Sequence, residues 1–308
     1  MEKLLTIQLL GWNGAGHLVE TARALRGISL DAVVIRYIDN GSRDASLEII
    51  QDILPHADII RFEENQGFAK AHNAGFAACE TKYVLTLDQD ITLVWEGIQN
   101  LIEYMEKNSK VGAVQGKMYR KGSNKVLDSA GIIATLALNG RERGSHEKDT
   151  GQYEQEAPLF AVTGGCGMYR MEALKQVEYF DEDFFAYKED VDLGWRLNNA
   201  DWVVRYIPTL VGYHARTLGR RGIFNWGISP RAISERLASP RTRWSLRNYI
   251  WMLMKNMSWE DEVKHDFFII GRLFVFFLLS LFSSQLFSVW KETFKGIPKM
   301  IAKRKSRT

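Results

Sequence analysis

Short apolar runs alternate with amphipathic stretches through the first half of the chain. Valine, isoleucine, leucine and tyrosine dominate these runs, and their length of five to seven residues is typical of strands. Between them, residues 18–25 and 98–105 keep the spacing of a helix face. This alternation predicts an α/β fold in which helices cover both faces of a mostly parallel sheet. The predicted strands are residues 4–10, 32–38, 58–62, 83–87 and 111–115.

The pattern is less regular in the middle of the chain. Residues 117–157 are rich in glycine and charge, and we expect irregular strands and a mobile loop there. The apolar run 160–162 predicts a strand that leads into three glycines, and residues 202–207 predict a later strand. These features extend the α/β domain to about residue 216.

The end of the chain, residues 217–308, has a different character. Residues 267–290 are almost all apolar, but the charge-free part is at the lower limit for a bilayer span and contains serine and glutamine. After it, Lys291, Lys295, Lys299 and Lys303 share one helical face, opposite an apolar face. A basic amphipathic helix on anionic lipid has this pattern, so we expect a helical, membrane-associating extension. The alternative is a packed helical hairpin with a solvated tail.

Composition narrows the class of protein. A chain of 308 residues, 46% hydrophobic and 25% charged, is globular and long enough for one large α/β domain and an appendage. Cys79 and Cys166 lie far apart and outside any Cys-x-x-Cys pair, so neither disulfides nor a zinc site is indicated. The N-terminus is too short and too strand-like for a signal peptide. We therefore expect a cytoplasmic protein.

The net charge of +3 hides an asymmetry between the two parts of the chain. Acidic residues outnumber basic ones up to residue 210, whereas basic residues outnumber acidic ones threefold afterwards. Such a basic stretch favours phosphates or an anionic surface. No recognised nucleic-acid-binding motif accompanies the charge, so we expect no nucleic-acid partner.

Two carboxylates, Asp88 and Asp90, directly follow the predicted strand 83–87. Carboxylate oxygens are hard ligands, and Mg²⁺ or Mn²⁺ bound by one or two of them keeps positions open for substrate phosphates. By itself, the pair could equally be a polar turn that ends a strand. In open α/β sheets, ligands bind beyond the carboxyl ends of the strands. Asn13 and the pair Asp39-Asn40 also follow strands, so they should share one crevice with Asp88 and Asp90.

Other motifs are ambiguous one by one. Asp39 could accept a hydrogen bond from a nucleobase or ribose, or belong to a turn that caps a helix. The Thr163-Gly164-Gly165 element could expose bare backbone to a sugar, or form a bulge. Glu189 and Asp190 begin a predicted helix, where acids are ordinary partners of the helix dipole. A lone histidine such as His214 is more often structural than a ligand.

Taken together and in order, these motifs resemble those of the inverting glycosyltransferases of family 2, which have the GT-A fold. The resemblance covers about residues 4–216. Within the family, the motifs look most similar to those of bacterial rhamnosyltransferases and galactofuranosyltransferases that extend polysaccharides on lipid carriers. The matching elements are Trp12-Asn13-Gly14, Asp39-Asn40-Gly41-Ser42, Asn65-Gln66-Gly67-Phe68, Asn73-Ala74-Gly75, Asp88-Gln89-Asp90, Thr163-Gly164-Gly165 and Tyr187-Lys188-Glu189-Asp190-Val191-Asp192.

The resemblance implies a role for each candidate residue. Residues up to about 116 would form the nucleotide-sugar half and residues 117–216 the acceptor half. Asp190 would be the general base, with Glu189 as the alternative. A cation, Mn²⁺ or Mg²⁺, would be held by Asp88, Asp90 and His214. The donor would be bound by Asn13, Asp39, Asn40, Gly67, Asn73 and Asp88. The transferred sugar or acceptor would contact Thr163, Gly164, Gly165 and Arg216.

The resemblance also implies a reaction. We expect a sugar, first L-rhamnose from dTDP-rhamnose and otherwise a sugar from a UDP donor, to pass with inversion onto a lipid-linked or growing glycan. The protein would act as a peripheral enzyme at the inner face of the cell membrane. A nucleotidyltransferase is one alternative, although residues 12–17 lack the arginine or lysine that its phosphate loop needs. A non-catalytic scaffold with the same fold is the other, and it predicts damaged carboxylates.

Overall fold

The computed structural model describes residues 3–31, 33–216, 239–281 and 284–305. Residues 217–238, with Arg220, Arg221, Arg231 and Arg236 of the basic stretch, therefore lie outside the described residues. The strands are β1 Leu5–Gly11, β2 Val33–Asp39, β3 Asp58–Arg61, β4 Tyr83–Asp88, β5 Ile91–Leu93, β6 Val111–Arg120, β7 Leu127–Ser129, β8 Ile132–Ile133, β9 Arg141–Glu142, β10 Ala157–Pro158, β11 Met168–Arg170 and β12 Val203–His214. The helices are α1 Ala15–Arg26, α2 Ser46–Ile53, α3 Phe68–Ala77, α4 Trp95–Lys107, α5 Met171–Gln176, α6 Glu189–Asn199, α7 Pro240–Asn256, α8 Trp259–Ser280 and α9 Ser284–Lys305.

The main sheet has the order β10-β12-β6-β11-β4-β1-β2-β3, with β5 and β7 added at its side. Strands β1 to β4 run parallel, as do β6 and β12, whereas β11 is antiparallel between β4 and β6. The predicted mostly parallel sheet is thus confirmed. The parallel order brings the carboxyl ends of β1, β2 and β4 to one edge, where the predicted site residues lie.

Helices cover both faces of this sheet, as the sequence predicts. Alternate residues of a strand point to opposite faces. Leu5, Ile7 and Leu9 of β1 belong to one core, which α1, α2 and α4 close. Val84 of β4 and Ala113 of β6 point the other way, into a second core closed by α3, α5 and α6.

Two strands are longer than the sequence pattern indicated. β6 continues to Arg120 because its polar residues beyond Gln115 find partners, such as Asp149 for Lys117. β12 runs past Pro208, which removes a ladder donor, through a register shift between Tyr206 and Leu210. His214 is therefore the last residue of a strand and does not lie in the loop after it.

The irregular region also differs from its prediction in one place. Strands β7 to β10 have only two or three residues each, as the glycine-rich pattern indicates. The strand predicted at 160–162 is wrong, since Ala161 makes a single bridge with Ile132. The glycines at 164, 165 and 167 turn the chain immediately afterwards, so no ladder forms.

The C-terminal helices pack on the α/β part of the protein. α9 lies along α7, where Gly296 leaves room for the ring of Trp251, and α7 contacts α6. Among the described residues, no helix has both the length and the apolarity to cross a bilayer. The predicted lipid-facing lysines need one correction, because Lys299 and Lys303 bind Asp183 and Asp181 of this same chain. Tertiary ion pairs hold these two lysines against the protein.

Candidate active site

Three potential metal ligands meet at the carboxyl edge of the sheet. Asp88 ends β4, and Asp90 follows two residues later, before β5. β5 pairs antiparallel with β12 so that Ile91 faces His214, which brings the imidazole beside Asp90. One ligand atom from each of Asp88, Asp90 and His214 lies within 4.8 Å of the others. The structure therefore brings together the three residues that the sequence predicts as metal ligands.

The chemistry of this set fits a divalent cation. His214 Nε2 lies 3.2 Å from Asp90 Oδ1, and its Nδ1 lies 2.8 Å from Asp128 Oδ2. Carboxylate oxygens suit Mg²⁺ and Mn²⁺, and an imidazole nitrogen is more usual for a transition metal. The set thus fits Mn²⁺ at least as well as Mg²⁺.

The electrostatics of the cluster also favour a cation. Burial raises the pKa of Asp88 to about 6, and the negative charges of Asp90 and Asp190 add to this effect. Burial lowers the pKa of His214, but its hydrogen bonds with Asp128 and Asp90 outweigh burial and raise the pKa to about 9. A bound cation would stabilise both carboxylates in their ionised form.

A glycine turn connects these ligands to Asp190. A Cβ atom on Gly165 would lie 2.5 Å from Asp88 Oδ2, and one on Gly164 would lie 3.7 Å from Asp190 Cβ. The backbone N–H of Gly164 donates to Asp190 Oδ2 at 3.3 Å. Asp88 and Asp190 therefore flank the same two glycines, 102 positions apart in the sequence but in one crevice. A side chain at position 165 would clash with Asp88, and one at position 164 would clash with the ring of Phe68, 2.8 Å away.

A strained segment places Asp190 there. Phe185, Tyr187 and Lys188 all have positive φ, at 60°, 71° and 74°, which non-glycine residues rarely adopt. Such strain concentrates at functional sites, where the surrounding structure holds it. Burial raises the pKa of both Asp190 and Glu189. Glu189 is the more deeply buried of the two side chains, with no hydrogen bond to Oε2 from the described residues.

Asp39 and Asn13 lie on the nucleotide side of the crevice. Asp39 is fully buried, and its Oδ1 accepts a hydrogen bond from the Ser42 backbone at 2.9 Å. Its Oδ2, 3.5 Å from Arg61 Nε, lacks a hydrogen bond in the described part of the chain and can accept one from a nucleobase. Asn13 bonds the turn after β2, since its Oδ1 accepts from the Arg43 backbone.

Three predicted donor ligands have other partners in the structure. Asn40 is buried and bonds Asn65, Gln66 and Gly67. A Cβ on Gly67 would lie 2.6 Å from Phe185, so this glycine contacts the strained segment that leads to Asp190. Asn73 bonds both backbone atoms of Phe180 and lines a separate cleft beside Lys303. The hydrogen bonds of these residues go to other parts of the protein, and their role in donor binding stays a prediction.

The predicted acceptor residues differ in whether their polar groups already have partners within the protein. Thr163 lies at the glycine turn, where its backbone donates to Gln115 and its buried hydroxyl has no partner among the described residues. Arg216 Nε contacts both oxygens of Asp128, at 2.7 and 3.0 Å. The positive charge of Arg216 also lowers the pKa of Asp88, so Arg216 lies beside the metal ligands.

Sequence reasoning missed three residues of this crevice. Gln89 bonds both backbone groups of Trp12 and so joins the two loops that line the nucleotide side. Burial, followed by the charge of Asp190, raises the pKa of Glu142 to about 7. Asp128 contacts His214. An isolated acid between Leu127 and Ala130 was the one signal in the sequence that could have indicated Asp128.

Known proteins share the sequence of this chain in part. A poly-beta-1,6-N-acetyl-D-glucosamine synthase of Staphylococcus epidermidis is 26% identical over 206 residues, which are 66% of this chain and 48% of that protein. A synthase of the same name from Staphylococcus aureus strain MSSA476 is 24% identical over the same share. The chain thus spans about half the length of these relatives.

Solved structures share the fold. GalNAc-T7, crystallised with UDP, GalNAc and Mn²⁺, superposes with a TM-score of 0.59 at 12% identity, over 82% of this chain and 48% of that one. S. aureus TarS 1-349 in complex with UDP gives 0.52 at 16% identity, over 85% and 68%. The sequence model described as "Glycosyl transferase family 2" matches residues 12–178, more than half of the chain. The chain therefore belongs to glycosyl transferase family 2.

Proposed function

We propose that the protein transfers a sugar, with inversion, from a nucleotide-sugar donor to a hydroxyl group of a glycan. The observation that carries the proposal is the glycine turn flanked by Asp88 and Asp190. It supports a role for Asp190 as the base beside a diphosphate held at Asp88. Asp190 takes the proton of the acceptor hydroxyl, whose oxygen forms a bond with the anomeric carbon as the bond to the diphosphate breaks.

Asp88, Asp90 and His214 would hold Mn²⁺ or Mg²⁺. When bound, the cation neutralises the charge that develops on the leaving diphosphate. An inverting displacement needs no enzyme nucleophile. Cys166, next to this site, fits that expectation, because burial raises the pKa of its thiol to about 12.

The loop after β1 argues against the nucleotidyltransferase alternative. Such an enzyme needs free backbone N–H groups in this loop to bind phosphates. The N–H groups of Asn13, Gly14 and Ala15 instead donate to the side chains of Ser42, Ser46 and Asp44. The intact carboxylate cluster likewise argues against a non-catalytic scaffold.

Two donors are candidates. The sequence motifs favour dTDP-L-rhamnose, with a lipid-linked or growing glycan as acceptor. UDP-N-acetylhexosamine is the second candidate, because the relatives are named as N-acetylglucosamine polymer synthases and both superposed structures contain UDP.

The donor is tested by thermal unfolding with dTDP, UDP and GDP, each with and without Mn²⁺. We expect one of the first two nucleotides to raise Tm, and to do so more with Mn²⁺, since a ligand bound only to the folded state stabilises it. Transfer from dTDP-rhamnose and UDP-GlcNAc then identifies the sugar, and EDTA should lower the rate at least tenfold. If no nucleotide shifts Tm in either condition, the proposal is wrong.

We also propose that the protein binds the inner face of the cell membrane peripherally, through α8. This helix exposes an apolar stripe at i, i+3, i+4 and i+7 spacing, with Phe267 82%, Ile270 63% and Phe274 59% exposed. Lys291 and Lys295 of the adjacent α9 are exposed, and within the described residues neither forms an ion pair. Apolar burial and anionic headgroups together would hold such a surface on lipid.

Substitutions in this stripe test the membrane proposal without removing the helices. Phe267→Ser with Phe274→Ser should lower co-sedimentation with phosphatidylglycerol vesicles at least tenfold, because each change removes a large apolar side chain from the lipid contact. Ile59→Ser, at an exposed position of the edge strand β3, is the matched control. Equal sedimentation of all three proteins would contradict the proposal.

A further inference from the structure

Asp128 is a buried carboxylate that contacts His214 at Nδ1, the ring nitrogen that does not face Asp90. It lies on β7 and is fully shielded from solvent. β7 and β12 both pair with the end of β6, where Tyr119 faces Leu127 on one side and Tyr213 on the other. This shared pairing brings Asp128 next to His214, although 86 positions separate them.

The contact determines which nitrogen of His214 faces the metal ligands. Asp128 Oδ2 lies 2.8 Å from Nδ1, while Nε2 lies on the side of Asp90. An ionised carboxylate only accepts hydrogen bonds, so Nδ1 must carry the hydrogen. When a cation takes the place of the Nε2 proton, the lone pair of the neutral ring is on Nε2, the atom that lies on the side of Asp90.

The same carboxylate holds a second cationic group. Arg216 Nε contacts both oxygens of Asp128, and Arg120 lies 3.4 Å from Oδ1. Arg216 adopts a positive φ of 49°, which its attachment to Asp128 helps to maintain. One buried side chain thus orients both the imidazole and a guanidinium at the edge of the metal cluster.

We infer that Asp128 is a positioning residue that fixes the metal-binding tautomer of His214 and holds Arg216 beside the cation. The inference rests on the proposed function, because it assumes that a divalent cation binds to this cluster. Carboxylates that orient a metal-binding histidine typically contribute 10–100-fold to metal affinity, about 1.4–2.7 kcal/mol. If Asp128 served only to bind Arg216 and Arg120, its replacement would not change the metal affinity through His214.

The test is direct Mn²⁺ binding, measured by the electron paramagnetic resonance of the free ion, with and without UDP. We expect Asp128→Asn and Asp128→Ala to weaken binding about 10–100-fold. In a His214→Ala background, Asp128→Ala should have little further effect, since its partner is already absent. Asp149→Asn is the control, because Asp149 is also buried but bonds Lys117 and Tyr119, away from the cluster.

The outcomes separate this inference from the proposed function. If the wild-type protein binds no Mn²⁺ with UDP or with dTDP, the inference is wrong, whereas the proposed function is wrong only if no nucleotide shifts Tm either. If it binds Mn²⁺ and the Asp128 variants bind equally well, or lose the same affinity in the His214→Ala background, only the inference is wrong.

A second measurement does not require the Asp128 variants to fold. ¹⁵N-histidine NMR of the wild-type protein with Mg²⁺ should show His214 protonated at Nδ1, and His214→Gln assigns its signal among the six histidines. A proton on Nε2 would overturn the inference.

Discussion

Asp190→Asn will lower the rate of sugar transfer by about 10²–10⁴-fold, the usual contribution of a general base. Asparagine has the same shape, and its amide oxygen can still accept one of the two hydrogen bonds that Gly164 and Val191 donate to the separate carboxylate oxygens. It cannot take a proton from the acceptor hydroxyl. Nucleotide binding and Tm should therefore stay close to those of the wild-type protein. Steady-state transfer, nucleotide titration and thermal unfolding measure the three quantities.

Glu189→Gln is the matched control for this prediction. Burial and the nearby charge of Asp190 raise the pKa of Glu189 well above its usual range, which favours the protonated carboxyl. Glutamine resembles that protonated form, and we expect most of the activity to remain. A larger loss of transfer rate for Glu189→Gln than for Asp190→Asn would mean that Glu189, and not Asp190, is the general base. Burial raises the pKa of Asp190 as well, so transfer should decline on acidification at a higher pH than for an ordinary aspartate.

The sequence predicted the residues that end strands better than those that lie in loops. Asp88 and Asp90 follow a continuous apolar run, and the carboxyl ends of parallel strands must meet at one edge. Asn40 and Asn73 stand in equally suggestive motifs, but their amides bond backbone groups of other loops, at residues 66–67 and at Phe180. An amide can satisfy a neighbouring backbone group or a ligand, and only the three-dimensional structure distinguishes the two.

Long-range partners were the other part that the sequence could not supply. Asp128 contacts His214 through strands that both pair with β6, and no local pattern encodes that pairing. The basic face of α9 has the periodicity of a lipid-binding helix. Lys299 and Lys303 nevertheless bind Asp183 and Asp181, more than 100 positions earlier in the chain. Their presence on one helical face did not reveal which anion they bind.

The C-terminal helices contribute directly to the candidate active site. The side-chain amide of Asn248 on α7 donates towards the carbonyls of Phe184, Ala186 and Tyr187, at 2.8, 3.0 and 2.7 Å. This is the strained segment that leads into Asp190. The helix α7, which precedes the helix that we propose to bind lipid, therefore supports the segment that carries the proposed base. Deleting these helices would remove both functions, which is why point substitutions are the better test of each.

Lys255→Met will destabilise the protein by about 3–5 kcal/mol, the cost of removing one charge from a buried ion-pair network. Lys255 on α7 is 2% exposed, and its ammonium lies 2.7 Å from Asp181 and 2.6 Å from Asp192. Methionine fills a similar volume but provides no charge or donor. Denaturant unfolding measures the loss. Lys264→Met is the control, because the exposed pair of Lys264 with Glu260 should contribute less than about 1 kcal/mol.

A second substitution separates lost charge pairing from lost packing. Asp192→Asn in the Lys255→Met background removes one of the two carboxylates that lose Lys255 as a partner, and the amide can still accept from Arg196. If charge causes the loss, the double variant should regain part of the stability. If it is no more stable than Lys255→Met alone, lost packing of the lysine stem is the cause. The ion pairs would then not be the interaction that holds α7 against the segment that carries Asp190.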